Sequence, residues 1–353
     1  EISLGLVGSE MCIRDRKSIV EPHPILMTLI PTHKCSAACD GCCFGCTPKI
    51  KHQMSYEEMV FHVDSAITAY PSIRVLVISG GECTLLGDDL DKIIAYGTQR
   101  GLRTRIVSNA SWAKSYDDAY YRMMGLVKAG LCEFNVSTGK QHQKFVPLQN
   151  IIYAILAANN LGISPVQIAY ERHPEDSQSS IDFLRENETI SHLLKDGKIE
   201  IIDGIWQNLK NPLGPEIHGI NFCKVGADFR CRNLYNYITI NPYSQLLACC
   251  GLTQEYNPYL KLGDLRKKTI TDLYDSQFEE LFFLWLYTMG PKHIYEKIAE
   301  YKGIQPKPYS HPCIYCIEIV NDKENIPILE KLVCTELPII LFNLQLIKAN
   351  LKY

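Results

Sequence analysis

The chain of 353 residues has no block of basic residues, with 36 Lys and Arg against 39 Asp and Glu and a net charge near −3. That balance offers nothing to a nucleic acid or an anionic membrane surface. No uninterrupted apolar run reaches the roughly 20 residues that a bilayer span needs. No G-x-G-x-x-G turn announces a dinucleotide fold. No secretory signal opens the chain, so the cysteines are expected in a reducing, cytoplasmic setting rather than in disulfides.

Cysteine is what the sequence has in excess, 15 in all, and in clusters. Clustered cysteines in a reducing compartment read as metal ligands. The densest run is residues 35 to 46, where Cys35, Cys39 and Cys42 stand at C-x3-C-x2-C spacing. Three thiolates on one short loop can hold three corners of a cubane iron–sulfur cluster and leave the fourth iron open to a small molecule. A second register, Cys39, Cys43 and Cys46, overlaps the first; Thr32 and the preceding strand end favour the first. A structural zinc knuckle is the competing reading.

Residues 1–16 resemble a translated transposase sequencing adapter and are set apart from the fold, Cys12 with them. From there strands and helices alternate. Strands are predicted at 25–30, 74–79, 102–108, 132–137, 166–170 and 198–202, with helices between them that end at Gly101, Gly130, Gly162 and Gly197. Ser55-x-x-Glu58 and Ser115-x-x-Asp118 mark helix starts. The repeat of about 30 residues is that of a βα unit. The expected fold class is therefore α/β, a partial (β/α)6 TIM-like barrel over residues 17–210, with an open doubly wound sheet as the alternative. Residues 211–320 break the pattern with a Pro- and Gly-rich loop and a hairpin turning at 241–244, and 321–353 read as a helical tail packed on the domain.

With these features together, the cysteine loop resembles that of the radical S-adenosylmethionine (SAM) superfamily, over roughly residues 20–205. Thr32 stands three residues before the first cysteine, and the loop follows the first strand, as in that family. The resemblance implies a [4Fe–4S] cluster on Cys35, Cys39 and Cys42, SAM on the open iron, and reductive cleavage to a 5′-deoxyadenosyl radical that abstracts a substrate hydrogen. It also implies SAM contacts from Gly80, Gly81 and Glu82, the carboxylate taking the SAM ammonium group, and from Ser137 and, less directly, Asn109. His142 is a candidate acid–base group, with a structural loop histidine as the competing reading. Two departures stand out. The family's aromatic residue before the third cysteine is Gly41 here, and Gly139 and Lys140 stand where an acid is expected beside Ser137.

Cys231, Ser244 and Cys249 resemble the opening of the SPASM and twitch extensions of that superfamily, and Cys313-x2-Cys316 adds a second pair. The resemblance implies an auxiliary [4Fe–4S] cluster on Cys231, Cys249, Cys313 and Cys316, with Cys250 or Cys223 as substitutes, and a four-cysteine zinc site as the alternative. Cys83, Cys132 and Cys334 read as core. The implied substrate is a ribosomally made peptide or a small molecule bound between barrel and auxiliary cluster, the implied electron donor a flavodoxin or ferredoxin. A non-catalytic iron–sulfur or zinc protein is the reading from another class.

Overall fold

The computed structural model describes residues 22–173, 179–209, 216–217, 220–221 and 230–350. The adapter-like segment, Cys12 and Cys223 lie outside them. The chain forms two compact units: Ile25–Lys210 with Thr239–Ser244, and the remainder.

The first unit runs β1 (Leu26–Leu29), α1 (Tyr56–Ala69), β2 (Val75–Ile78), α2 (Asp88–Gln99), β3 (Arg103–Ser108), α3 (Tyr116–Ala129), β4 (Leu131–Gly139), α4 (Lys140–Gln143), α5 (Leu148–Asn160), β5 (Val166–Arg172), α6 (Ser179–Glu186), α7 (Glu188–Lys195) and β6 (Ile199–Ile205). The helix starts follow local chemistry. Ser55 accepts from the Glu58 amide at 3.2 Å while Glu58 accepts from the Ser55 amide at 2.7 Å, a reciprocal cap. Met59, Val63 and Ala66, at helical spacing, are the face that α1 buries.

Strands β1 to β6 are all parallel, each hydrogen-bonded to the next in chain order. This order decides between the two expected architectures. A doubly wound sheet reverses its strand order at a switch point. An unbroken order, with right-handed crossovers, keeps every helix on one side and curls the sheet into a barrel wall. The unit is a partial (β/α)6 barrel. Alternate residues, Phe134 and Val136 on β4 and Val166, Ile168 and Tyr170 on β5, are buried. Their neighbours point the other way. On that second face Arg105 pairs with Glu133 and Gln167 with Glu200. Towards the C-terminal ends the same face presents Ser137, Ala169 and Glu171.

The turn at 241–244, expected with the second unit, belongs to the first. The Ile30 amide donates to the Ile240 carbonyl at 2.9 Å, and His52 and His62 reach Pro242 O and Ser244 Oγ at 2.8 and 3.1 Å. Those contacts hold the turn on the barrel. Ser244 sits at φ 56°, a left-handed conformation that glycine would adopt without strain.

In the second unit, two short strands, β7 (Glu216–Ile217) and β8 (Ile220–Asn221), pair antiparallel where the sequence predicts only loop. After β9 (Tyr237–Ile240), β10 (Gln245–Leu247) pairs antiparallel with β11 (Lys261–Asp264). Four helices complete it, α8 (Ile270–Ser276), α9 (Leu281–Lys302), α10 (Pro312–Asn321) and α11 (Asn325–Asn350). Helix α9 breaks at Gly290, φ 80°, just before Pro291. Helix α11 buries Leu329, Val333, Ile340 and Leu344. Glu336 ties it to His293 and Lys297 of α9, each at 3.3 Å. By length and composition, with 25 residues over Asn325–Ala349 and a mean hydropathy of 1.5 in an 18-residue stretch of it, the helix is long and apolar enough to cross a membrane. Glu330, Lys331 and Glu336 interrupt its apolar run. Cys334, read as core, is exposed because it lies one residue beyond the buried Val333.

Candidate active site

The cysteine loop follows β1 and lies at the C-terminal ends of the parallel strands, where barrels of this kind build their sites. Thr32 fixes its start. The Thr32 hydroxyl donates to the His52 carbonyl at 2.8 Å and accepts from the Lys34 amide at 3.0 Å. The end of β2 then pins the loop from the side: the Gly81 amide donates to Thr32 O and the Glu82 amide to Lys34 O, both at 2.9 Å. The two glycines are needed for this contact. A Cβ on Gly80 would lie 2.4 Å from Thr32 O, and one on Gly81 would lie 2.1 Å from Lys34 O.

The loop gathers four of its five thiols. Cys35 and Cys46 are buried with Ala37, and Cys39 and Cys42 pack against them with Phe44. Cys43 is half-buried and stands outside that cluster. The Cys35 sulfur accepts from the Ala37 amide at 3.4 Å and from Asn109 Nδ2 at 3.5 Å. Burial pushes the Cys35 thiol up and Cys39 up to about 12. The Cys46 thiol, by donating a hydrogen bond, holds Cys42 down at about 6. Among the described residues no three His, Cys, Asp or Glu side chains are arranged to hold a single metal ion. A cubane asks for something different, since each cysteine meets a different iron. Buried thiols close enough to raise one another's pKa fit that demand, because the positive charge of a cluster releases their protons.

Glu82 is fully buried. Its Oε1 accepts from the Thr84 amide, the Thr84 hydroxyl and the Ser108 hydroxyl at 3.2, 2.7 and 2.8 Å, and its Oε2 accepts from the Asn109 amide at 2.8 Å. The carboxylate therefore rivets the end of β2 to the end of β3. Asn109 is drawn into the same framework: besides Cys35 it donates to Ser36 Oγ at 3.0 Å and accepts from the Ser111 amide at 3.0 Å. Behind them Cys83 is buried, its thiol 3.4 Å from the Val107 carbonyl. Cys132, also read as core, is only half-buried.

Across the mouth, the Ser137 hydroxyl has no hydrogen-bond partner among the described residues. His142 lies in α4 with its ring edge-on to Trp206, centroids 5.4 Å apart. Burial holds His142 down at about 4, so its imidazole is neutral at pH 7, and its Nδ1 has no partner. Trp206 follows β6 directly, and its Nε1 donates to the Asp40 carbonyl of the cysteine loop at 2.9 Å. Asn208 fills the space over Gly41, where an added Cβ would meet Asn208 Cγ at 3.0 Å. The β6 end thus closes back onto the loop. Trp206 and Glu171 stand near these residues without any local sequence pattern to mark them. Both stand at the C-terminal end of a strand, and that position was the available signal.

In the second unit Cys231, Cys249, Cys313 and Cys316 line one cavity of about 160 Å³, together with His311 and Leu234. Cys250 is half-buried and does not line it. Two of the sulfurs receive an N–H: Cys249 accepts from the Gly251 amide at 3.4 Å and Cys316 from Asn257 Nδ2 at 3.5 Å. Burial drives all four thiols up, Cys313 to about 12. Four protonated sulfurs around a space several waters large suit a group of several atoms better than one ion drawn to about 2.3 Å from each sulfur.

No protein-family model matches the chain, and no curated protein matches it. Some solved structures are similar to it at low identity. The native anSMEcpe enzyme with bound AdoMet and a Cp18Cys peptide is 12% identical, with a TM-score of 0.48 over 88% of this chain and 99% of that one. BtrN in complex with AdoMet and 2-DOIA is 14% identical, with a TM-score of 0.43 over 76% and 89%. Streptococcus suis SuiB bound to the precursor peptide SuiA is 16% identical, with a TM-score of 0.45 over 74% and 66%.

Proposed function

We propose that the chain is a radical SAM enzyme whose [4Fe–4S] cluster is held by Cys35, Cys39 and Cys42. One observation carries the reading: these three thiols lie together at the C-terminal end of a six-stranded parallel barrel wall, on a loop that β2 and β6 clamp from opposite sides. Cys43 stands outside that group, which favours this register over Cys39, Cys43 and Cys46. When bound, the cluster and SAM supply an electron and a 5′-deoxyadenosyl radical that takes a hydrogen atom from the substrate.

The chain's own residues orient the cofactor and exclude water. Glu82 spends four hydrogen bonds on the fold, three at Oε1 and one at Oε2, so this reading leaves the SAM ammonium to the backbone carbonyls at the end of β2, with Glu82 holding that backbone in place. The Ser137 hydroxyl is free for SAM. His142, neutral and against Trp206, contributes an apolar wall rather than a proton. In the second unit Cys231, Cys249, Cys313 and Cys316 would hold an auxiliary [4Fe–4S] cluster, and the N–H groups on the Cys249 and Cys316 sulfurs would stabilise its negative charge. The substrate class is a peptide or a small molecule, and reduction is by a flavodoxin or ferredoxin.

Anaerobic reconstitution with iron and sulfide, followed by SAM and dithionite, tests the reading. Release of 5′-deoxyadenosine and methionine supports it. A protein that takes up a cluster on the three cysteines yet releases neither would overturn it.

A further inference from the structure

Helix α11 carries two apolar faces, and the fold uses one of them. Leu329, Val333, Ile340 and Leu344 turn inward, and Glu336 is tied to His293 and Lys297 of α9. At about 100° per residue, Pro338, Ile339, Phe342, Leu346 and Ala349 form a stripe on the opposite side. All five are exposed, Ile339, Phe342 and Leu346 at 46%, 58% and 45%. An apolar helix of this length is ordinarily a buried core helix or a membrane segment. It is not a core helix, because only 17% of its apolar 18-residue stretch is buried. Nor is it free to span, because its inward face and the Glu336 ion pairs fasten it along α9.

The size of the stripe and the chemistry of its ends decide what covers it. The three large side chains together expose roughly 300 Å². A stable pair of chains needs about 800 Å² from each partner, so a second copy docked on this stripe alone falls well short. A bilayer needs no matching surface and accepts an apolar stripe laid in its plane. The ends suit the boundary between lipid and water. Lys331 heads the stripe and Lys348 flanks its far end, both exposed. Lys331 Nζ lies 3.5 Å from the hydroxyl of Tyr301, itself exposed, and 6.0 Å from the centre of its ring. Lysine and tyrosine are side chains that settle at headgroup level, with an apolar body and a polar tip. Glu330 and Glu336 fall about a third of a turn to either side of Phe342, clear of the apolar centre.

We propose that α11 docks on the surface of a phospholipid bilayer, lying in the membrane plane with Ile339, Phe342 and Leu346 among the acyl chains. The inference does not rest on the radical SAM reading. The test is flotation of the anaerobically reconstituted full chain with vesicles of phosphatidylcholine, and with vesicles of phosphatidylcholine and phosphatidylserine in equal parts. Wild type is expected to float with both, since apolar contact drives the binding. Phe342→Asn is expected to weaken partition roughly tenfold or more, the scale of one large apolar side chain returned to water. Its melting temperature should stay within about 2 °C of wild type, because the position is exposed. Leu346→Asn carries the same test if Phe342→Asn fails to fold. Phe61→Asn removes an equally exposed ring, 59%, from the first unit and should leave partition unchanged. Wild type that does not float, Phe342→Asn and Leu346→Asn that float like wild type, or an equal loss in Phe61→Asn overturns the inference. So does self-association that Phe342→Asn abolishes in a chain that binds no vesicles, which would give the stripe to a second copy.

Discussion

Glu82 offers the sharpest test of whether the strand-end motif serves the ligand or the loop. Its carboxylate accepts four hydrogen bonds at 2.7 to 3.2 Å inside a fully buried site. In Glu82→Gln one oxygen can keep the Thr84 and Ser108 bonds, but the new NH₂ faces the Asn109 amide, so one bond is lost and two donors meet. That costs about 2–3 kcal/mol. Glu82→Ala loses all four bonds and leaves a cavity. The gross loss is larger, but the alanine variant escapes the desolvation that pushes the Glu82 carboxyl up; about 3–4 kcal/mol remains. At 2–4 °C per kcal/mol for a unit of this size, the alanine variant should melt roughly 10 °C below wild type. The loop should loosen with it, because the Glu82 amide holds Lys34. The assays are thermal melting, hydrogen exchange on the Val75–Ile78 and Arg103–Ser108 segments, and SAM affinity measured well below the melt. If Glu82→Ala melted within about 2 °C of wild type while losing SAM affinity a hundredfold, the carboxylate would be meeting the ligand and the riveting argument would be wrong.

Further predictions follow from the thiols and from Glu171. Alanine at Cys35, Cys39 or Cys42 should each abolish 5′-deoxyadenosine release, whereas Cys43→Ala and Cys46→Ala should retain it; the reverse pattern would move the cluster to the second register. A Cys35/Cys39/Cys42 triple alanine variant, reconstituted without oxygen, should still hold about four irons per chain, the content of one cubane. Adding Cys313→Ala and Cys316→Ala should remove them, and a colourless triple variant carrying one zinc would sink the auxiliary cluster. The folded Glu171 carboxyl titrates at about 7 against 4.5 in the unfolded chain, so between those pH values the folded state binds more protons and stability falls as pH rises. Glu171→Gln should remove that decline and, above pH 7, exceed wild type by about 1–3 kcal/mol in denaturant melts; a variant less stable than wild type at pH 8 would contradict the raised Glu171 carboxyl.

The strand order was legible because it rests on local signals: caps, apolar runs and a repeat of one βα length. Parallel neighbours in chain order follow almost automatically from such units. The site was legible only where its chemistry is concentrated in one stretch. The cysteine spacing announces a cluster but cannot separate two registers that share Cys39, because spacing does not say which thiols turn inward. The fold adds a second observation, burying Cys35 and Cys46 and leaving Cys43 outside the group. At Gly80–Glu82 the sequence shows glycines beside a carboxylate, which is equally consistent with a ligand cradle and a tight joint. Thr32 and Lys34, more than forty residues upstream, make it a joint. The turn at Ser244 went to the wrong unit for the same reason, since its partners His52 and His62 lie far away in sequence. Glu171 is the extreme case. Nothing near it on β5 marks it as unusual. Its raised carboxyl comes from burial beside Gly139 and Gly204 on two other strands, with a smaller push from Asp203. A shift set by neighbouring strands is not encoded in any local pattern, and only the register of three strands reveals it.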